Sequence, residues 1–293
     1  MNQTNRQSQS PLHSVTPLHL EEPPNMALLL AKAFFKSANF KLGNSLPPLT
    51  ADWEGLSIDR SHLQRYNQIC GFDSSQLPAT YFWVRAFPLI MSILVSKQFP
   101  LRAMGQVHLR NQIAVHSPFD LSKTFSISAA VEHSELTSKG LEWSMQISVI
   151  TDNQMIWSCR STFLYRCKTG IARVSKTLDK PQGDPVSWSL QTDLGRRYAV
   201  TSGDYNPIHL SALSAKIFGF KRAIAHGMWS KARCLAALSE VIPEAGYSVE
   251  VNFLKPVFLP SDVKFYSGLS DNQRQFSLFN STGEQMHLQG SIL

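Results

Sequence analysis

The chain has 293 residues, of which 43% are hydrophobic, 10% aromatic and 17% charged. This composition excludes a disordered or fibrous protein, and the length favours two domains of about 100–150 residues each. The net charge of +7 is consistent either with anionic partners or with ordinary solvated lysines and arginines. Because no long basic run interleaved with aromatic residues is present, nucleic-acid binding is not expected.

The N-terminal segment, the longest apolar run and the cysteines predict where in the cell the protein is located. Residues 1–24 are polar and proline-containing, without the charged start and apolar block of a secretory signal, so we predict a mobile N-terminal tail. The longest apolar run, residues 81–95, is too short for a bilayer, and no integral membrane span is expected. The four cysteines lack zinc-site spacings and disulfide density, which predicts reduced thiols and a cytoplasmic protein.

Further along the chain, periodicity predicts a helix and then a run of strands. Residues 25–42 combine dense apolar residues with lysines, which predicts a docking helix or, alternatively, a cationic helix on a membrane surface. Alternation predicts strands that pair as an antiparallel meander. These strands span residues 107–115, 124–131, 143–151 and 156–166. Residues 168–187 lose the apolar pattern and gather glycine and proline, which predicts a linker.

The two halves resemble each other weakly at a constant offset of 142 residues. The matching positions are Val107 with Val249, Pro118 with Pro260 and Asp120 with Asp262. Each matched strand follows an apolar helical run, residues 86–96 in the first half and 227–240 in the second. We therefore predict two units, residues 25–167 and 188–293, each a helix wrapped by antiparallel strands.

The motif "SGDYNPIH", residues 202–209, concentrates acid–base side chains. Asn206 before Pro207 is typical of a helix start, so we predict a helix from Pro207 to about Ile217 that stops at Gly219. His209 would lie near the positive end of that helix, which favours a neutral imidazole that accepts protons. Gly203 lets the backbone bend and approach a ligand.

Asp204 and His209 are five positions apart across this turn, so their side chains can converge. Residue types alone also allow a helix-capping turn in which His209 has no role. A metal site of Asp204, Asn206 and His209 is a weaker alternative, because no further ligand cluster is evident. If the repeat is real, the first half lacks this pair, since the offset places His62 opposite Asp204 and Asn67 opposite His209.

A second block, His226-Gly227, opens the apolar helix 227–240. The free N–H of Gly227 at the positive helix end suits a carbonyl oxygen that gains negative charge. Alternatively, Gly227 merely permits tight packing. For His226 we favour the interpretation of a satisfied core polar residue.

Residues 198–228, "YAVTSGDYNPIHLSALSAKIFGFKRAIAHGM", resemble the hydratase-2 signature of MaoC-like dehydratases. The resemblance implies an α+β double-hotdog fold with a degenerate N-terminal and a catalytic C-terminal hotdog. It implies reversible hydration of trans-2-enoyl thioesters to (R)-3-hydroxyacyl thioesters, without metal or redox cofactor. Asp204 and His209 are then the catalytic pair, and the supporting or oxyanion residues are Ser202, Gly203, Asn206 and Gly227.

The same resemblance leaves the carrier and the assembly open. The substrate would be a thioester of coenzyme A or of acyl carrier protein, and the protein a monomeric pseudo-dimer or a homodimer. A thioesterase on the same scaffold and a non-catalytic acyl-binding subunit are the alternatives, and the intact Asp204 and His209 argue against both.

Two further expectations concern the substrate's ends. Cations that flank the motif in the sequence predict a basic rim for the carrier, formed by Arg196, Arg197, Lys221, Arg222 and Lys231. The apolar helix of the first half predicts a lining for the acyl tail, with Phe82, Phe87, Leu89 and Ile90 as candidates. Helical periodicity alone makes most of these four ordinary core residues.

Overall fold

The computed structural model describes residues 17–22, 24–171, 183–270 and 273–293. The helices of this part of the chain are α1 (Met26–Phe35), α2 (Arg60–Cys70), α3 (Tyr81–Val95), α4 (Leu194–Ser202), α5 (Ala212–Ile217) and α6 (Gly227–Ala236), with 3-10 turns at Pro207–His209 and Ser239–Val241. The strands are β1 (Leu18–Leu20), β2 (Thr50–Leu56), β3 (Val107–Val115), β4 (Phe125–Thr137), β5 (Gly140–Thr151), β6 (Gln154–Tyr165), β7 (Val186–Leu190), β8 (Tyr247–Phe253), β9 (Ser261–Ser270), β10 (Gln273–Asn280) and β11 (Met286–Ile292).

The described strands form one continuous sheet with internal symmetry. Its order is β1-β2-β4-β5-β6-β3-β8-β11-β10-β9-β7, so β2-β4-β5-β6-β3 on one side mirrors β7-β9-β10-β11-β8 on the other. At the centre, β3 pairs antiparallel with β8, and Arg110 lies opposite Asn252, its equivalent at the offset of 142 residues. A strand that pairs with its own repeat in this way indicates a twofold relation. The predicted α+β arrangement of two helix-and-sheet units is confirmed.

Each half contributes one long apolar helix to the core. In α3, ten side chains are buried, although Pro88 interrupts its hydrogen bonding, and α3 begins five residues before the predicted start at residue 86. In α6, eight side chains are buried, and the helix ends at Ala236 rather than continuing to residue 240. The buried residues of both halves form one hydrophobic cluster, so the two units are packed together.

The N-terminal segment differs from the prediction. Residues 1–16 and 23 of the predicted mobile tail lie outside the described residues. Within the rest, Leu18–Leu20 pairs parallel with β2, so the prediction of a mobile tail is wrong there; the open edge of β2 supplies unpaired backbone groups that this segment satisfies. The helix predicted over residues 25–42 ends at Phe35, because Lys36 has extended backbone. It docks on α3.

The predicted strands are present and, after the first, longer than expected. The strand 107–115 has the predicted bounds, and the other three extend to 125–137, 140–151 and 154–165. Residues 172–182 of the predicted linker lie outside the described residues, and β7 begins at Val186, inside the predicted range. Among the described residues, none of the helices combines the length and the hydropathy needed to span a membrane.

Candidate active site

A helix end and a chain of local hydrogen bonds shape the motif that carries Asp204. Helix α4 ends at Ser202 and is capped by Gly203, whose φ of +74° is a left-handed conformation that glycine adopts without strain. The Ser202 hydroxyl then accepts from the Asp204 N–H at 3.2 Å, and the Asp204 carboxylate accepts from the Asn206 N–H at 3.1 Å. Asn206 in turn accepts from the Ile208 N–H at 3.4 Å. Ser202, Gly203 and Asn206 therefore hold the loop that presents Asp204.

The prediction of one continuous helix from Pro207 to Ile217 is wrong, because two separate elements occupy this range. The 3-10 turn ends at His209, and α5 starts afresh after Ser211, whose hydroxyl accepts from the Ser214 N–H at 3.0 Å. The extended backbone of Ser211, with φ −156° and ψ 162°, separates the two elements. His209 thus has no α-helix dipole of its own, and another cause must keep its imidazole neutral.

Burial supplies that cause. The His209 residue is 8% exposed, and desolvation lowers its pKa below the usual value, with the Asp204 charge opposing. Its Nδ1 lies 2.8 Å from the Ile224 carbonyl. Because a carbonyl can accept but not donate, Nδ1 carries the proton, and in the neutral ring Nε2 keeps a free lone pair.

Asp204 and His209 come together as the motif predicted. A carboxylate oxygen of Asp204 and a ring nitrogen of His209 lie within 4.8 Å of each other. Burial raises the pKa of Asp204 above its usual value, while His209 and the Asn206 N–H oppose this rise. The Asp204 side chain still keeps 29% of its surface exposed. It is therefore the member of the pair that is more accessible to a water molecule or a substrate.

His226 belongs to this cluster, which the sequence interpretation missed. It is 3% exposed, and its ring stacks on His209 with centroids 3.6 Å apart. Its Nε2 donates to the Asp204 carbonyl at 2.9 Å, whereas its Nδ1 has no partner among the described residues. Burial and the neighbouring His209 hold the pKa of His226 well below its usual value. Its position beside Gly227 was the available signal.

The three side chains of Asp204, His209 and His226 are also spaced as ligands of a metal ion could be, with one atom from each within 4.8 Å of the others. However, Nδ1 of His209 and Nε2 of His226 both donate to carbonyl oxygens. As protonated nitrogens they have no lone pair with which to bind a metal ion. Nε2 of His209 and the Asp204 carboxylate can instead exchange protons with a substrate. The expectation of a reaction without metal stays a prediction.

Gly227 is the first residue of α6, so its N–H has no partner within the helix. An added Cβ would lie 3.2 Å from the Phe253 ring, so a larger residue would displace that ring. Gly227 and Phe253 line the same cavity as Asp204 and His209. The glycine therefore does permit close packing, and it also leaves a backbone donor beside the acid–base pair.

The cavity that holds the pair has a volume of about 380 Å³ and draws its lining from both halves. Of the four candidates on α3, Phe87 and Ile90 line it, as do Trp83, Val84, Met91 and Leu94. Phe82 instead packs against aromatic rings of the first half's core, and Leu89 is fully buried away from the cavity. The predicted contribution of the first half to the pocket is confirmed for Phe87 and Ile90 and is wrong for Phe82 and Leu89.

The predicted basic rim is only partly at the surface. Arg196, Arg197, Lys221 and Arg222 are exposed, but none of them lines the cavity. Among the described residues, the lysine and arginine side chains of its lining are Arg166 and Lys255, both exposed. These two follow β6 and β8 and are distant from the motif in the sequence, so proximity along the chain could not reveal them.

The prediction of a rim position is wrong for Lys231, the fifth residue, because it is fully buried at the junction of the two halves. Its Nζ donates to the Asn111 carbonyl at 3.0 Å, to Asn111 Oδ1 at 2.6 Å and to the Val249 carbonyl at 3.1 Å. Three acceptors satisfy the three protons of an ammonium group. Burial nevertheless lowers the pKa of Lys231 to about 7.

The first half has a structural group where the second has its acid–base pair. His62, the counterpart of Asp204, lies 2.8 Å from the Tyr81 hydroxyl and donates to the Thr201 carbonyl at 2.9 Å. The amide of Asn67, the counterpart of His209, donates to the Asp73 carbonyl at 2.8 Å and closes a turn. His62 thus anchors the end of α4, directly before the motif.

Comparisons with known proteins identify the family and the fold of the chain. The family model described as MaoC like domain matches residues 172–289. The chain is 31% identical over 254 residues to 3-hydroxyacyl-thioester dehydratase X of Mycobacterium tuberculosis, covering 85% of this chain and 90% of the relative. A crystal structure of HtdX from that organism has a TM-score of 0.73 at 30% identity and covers 83% of this chain and 98% of its own. A MaoC-like dehydratase from Phytophthora capsici shares the fold, with a TM-score of 0.64 at 19% identity over 87% of this chain and 97% of its own.

Proposed function

Because the chain belongs to the MaoC-like dehydratase family, we propose that it catalyses the reversible addition of water to a trans-2-enoyl thioester, giving an (R)-3-hydroxyacyl thioester. As a member of this family it is a dehydratase, that is, a hydro-lyase, with the double-hotdog fold predicted from its sequence. The stereochemistry and the enoyl-thioester direction are the finer parts of the proposal.

One observation carries the proposal: Asp204 and His209 meet in a cavity that also holds the N–H of Gly227 and an apolar wall from the first half. Hydration requires a base for water, an acid for carbon and a donor for the thioester oxygen. The pair supplies the first two, and Gly227 supplies the third.

The reaction follows from these positions. The free Nε2 lone pair of His209 and the Asp204 carboxylate take a proton from water as its oxygen attacks C3. The electron pair of the double bond moves onto the thioester carbonyl, where the Gly227 N–H and the positive end of α6 stabilise the enolate oxygen. C2 then receives a proton from the pair, which returns to its initial state. Dehydration is the same sequence in reverse.

The experiment follows the ultraviolet absorbance of a crotonyl thioester, which falls when water adds to the conjugated double bond. Asp204→Asn and His209→Ala should each lower kcat by at least about 100-fold, because each removes a proton-transfer group. The matched controls are Asp193→Asn and His116→Ala. The side chain of Asp193 makes no capping hydrogen bond, and His116 is exposed. Both controls should keep wild-type activity.

Other outcomes would identify the alternatives. Release of free thiol with the double bond intact would indicate a thioesterase, and binding without either change would indicate a non-catalytic acyl-binding subunit. Retention of more than a tenth of the activity in Asp204→Asn or His209→Ala, with an unchanged melting temperature, would remove that residue from the mechanism.

The carrier and the location are further parts of the proposal. The exposed cations Arg166 and Lys255 at the cavity support an anionic carrier, either coenzyme A or acyl carrier protein. The described structure leaves all four cysteine thiols free, which supports a reducing compartment such as the cytoplasm. Rates on matched thioesters of both carriers, and fractionation of expressing cells, test these points.

A further inference from the structure

A second cleft lies apart from the catalytic cavity, and the two share no lining residue in the described part of the chain. Its volume is about 400 Å³, which is within the range of small-molecule sites. The end of α2, strand β7 and helices α4 and α6 surround it. Nothing in the mechanism above uses this cleft.

Two guanidinium groups, those of Arg197 and Arg233, line the cleft. No carboxylate side chain is among its described lining residues, and neither arginine has a carboxylate within ion-pair distance in the described structure. The nearby Asp262 accepts instead from the Ser189 hydroxyl at 2.6 Å. The cleft therefore has a local positive charge that the described side chains do not neutralise.

Arg233 is held in place rather than free to move. Its guanidinium lies 4.5 Å from the centre of the Trp188 ring, and the ring of Phe265 stacks on Trp188 with centroids 5.0 Å apart. At Gly71, whose φ is +84°, an added Cβ would lie 2.6 Å from Nη1 of Arg233. The glycine thus makes room for the guanidinium.

The burial of Arg233 has an energetic consequence. Arg233 is partly buried, and burial lowers its pKa, with only the thiols of Cys234 and Cys70 opposing. A desolvated charge without a counter-ion is costly, and an anion in the cleft would offset that cost. Fixed guanidinium N–H groups are also suited to bidentate recognition of phosphate, because little side-chain entropy is lost on binding.

We propose that the cleft lined by Arg197, Arg233 and Trp188 is a binding site for a small phosphate-bearing molecule. The phosphate has two potential sources. It is either a phosphate of coenzyme A in the bound substrate, which rests on the proposed function, or that of a separate nucleotide-like ligand. The shared chemistry is a phosphate ester bound by two guanidinium groups beside an indole.

The test uses tryptophan fluorescence, because Trp188 and Trp229 both line the cleft. The full-length protein is titrated with inorganic phosphate and with adenosine 3′,5′-bisphosphate at constant ionic strength, with potassium chloride as the blank. Saturable changes are expected for both probes. Arg197→Gln should weaken binding by about tenfold or more, and because Arg197 is exposed, this variant should fold normally.

Arg233→Gln is the second variant, and Arg222→Gln is the matched control. Arg222 is also exposed and also lies over an aromatic ring, that of Phe258 at 5.6 Å, but outside the cleft. The control should bind like the wild type. No saturable response up to about 10 mM phosphate or bisphosphate, or equal binding by Arg197→Gln and Arg222→Gln, would overturn the proposal.

Kinetics separate the two sources. If the phosphate belongs to coenzyme A, Arg197→Gln raises KM for crotonyl coenzyme A but not for the phosphate-free N-acetylcysteamine thioester, and the bisphosphate competes with substrate. If it belongs to a separate ligand, KM for both thioesters stays unchanged while the bisphosphate still binds. Fluorescence binding does not require turnover, so failure of the proposed reaction would leave this test readable.

Discussion

His226 stacks on His209 with ring centroids 3.6 Å apart, and the same imidazole donates to the backbone carbonyl of Asp204 at 2.9 Å. One side chain thus touches the ring of the base and the backbone of the acid. It is buried, and its own pKa is held well below the usual value by burial and by His209. We therefore expect His226 to act as a positioning residue rather than as a proton carrier.

Replacing His226 tests this role. His226→Phe keeps a ring against His209 but removes the donor to Asp204, and we expect kcat to fall about tenfold, equivalent to one hydrogen bond of about 1.4 kcal/mol. His226→Ala removes both contacts and should fall further. KM should change little in either variant, as steady-state kinetics on one thioester would measure. Equal losses in the two variants, or a change confined to KM, would contradict the positioning role.

The pH dependence of hydration follows from the acid–base pair. Burial lowers the pKa of His209 and raises that of Asp204. His209 is then neutral throughout the range from about pH 7 to pH 8, so protonation of His209 does not change kcat/KM there, and kcat/KM should fall towards acid as the pair takes up protons. Rates in buffers of constant ionic strength would measure the profile. A kcat/KM that rises towards acid would contradict this assignment.

The buried Lys231 predicts a pH-dependent stability. Its pKa is about 7 in the folded protein and about 10.4 in the unfolded chain. Above pH 7 the unfolded chain therefore binds more protons, and the free energy of unfolding rises with pH, by about 1 kcal/mol between pH 7 and pH 8. Below pH 7 both states are protonated and this contribution vanishes. The charged or titratable neighbours are Cys159, Glu250 and His108.

Urea unfolding of the wild type and of Lys231→Met measures this slope. The variant should lose the rise between pH 7 and pH 8 while other groups contribute equally to both proteins. The range stops at pH 8 because buried thiols with raised pKa values, such as that of Cys70, affect stability above it. The same slope in both proteins would show that Lys231 does not titrate in this range.

The α3 residues that line the cavity should set chain-length preference. Phe87→Ala widens the pocket and Ile90→Phe narrows it, and each buried methylene of a substrate contributes about 0.8 kcal/mol. The ratio of kcat/KM for ten-carbon to four-carbon enoyl thioesters should rise several-fold in the first variant and fall in the second. Leu89→Ala is the control, because Leu89 is buried on the same helix away from the cavity. Ratios within about twofold of wild type in both variants would place the tail elsewhere.

Local patterns in the sequence were sufficient for the elements and for the acid–base pair. Strand alternation placed β3 at residues 107–115, and the offset of 142 residues predicted two similar units. The structure then shows that the matched strands of these units, β3 and β8, pair with each other. Asp204 and His209 lie five residues apart across a turn. Because local backbone geometry alone brings such neighbours together, their meeting could be predicted.

The remaining features depend on contacts between residues far apart in the chain. Lys231 was expected at the surface from its charge and its place beside the motif, but the sheet of both halves encloses it and supplies three acceptors. Phe82 and Phe87 belong to one apolar helix, and only the position of the neighbouring half decides which of them lines the cavity. His226 reaches Asp204 across 22 residues. Such contacts arise when each unit folds and the two units pack against each other, because a residue's burial and partners are properties of the assembled core rather than of its sequence neighbours.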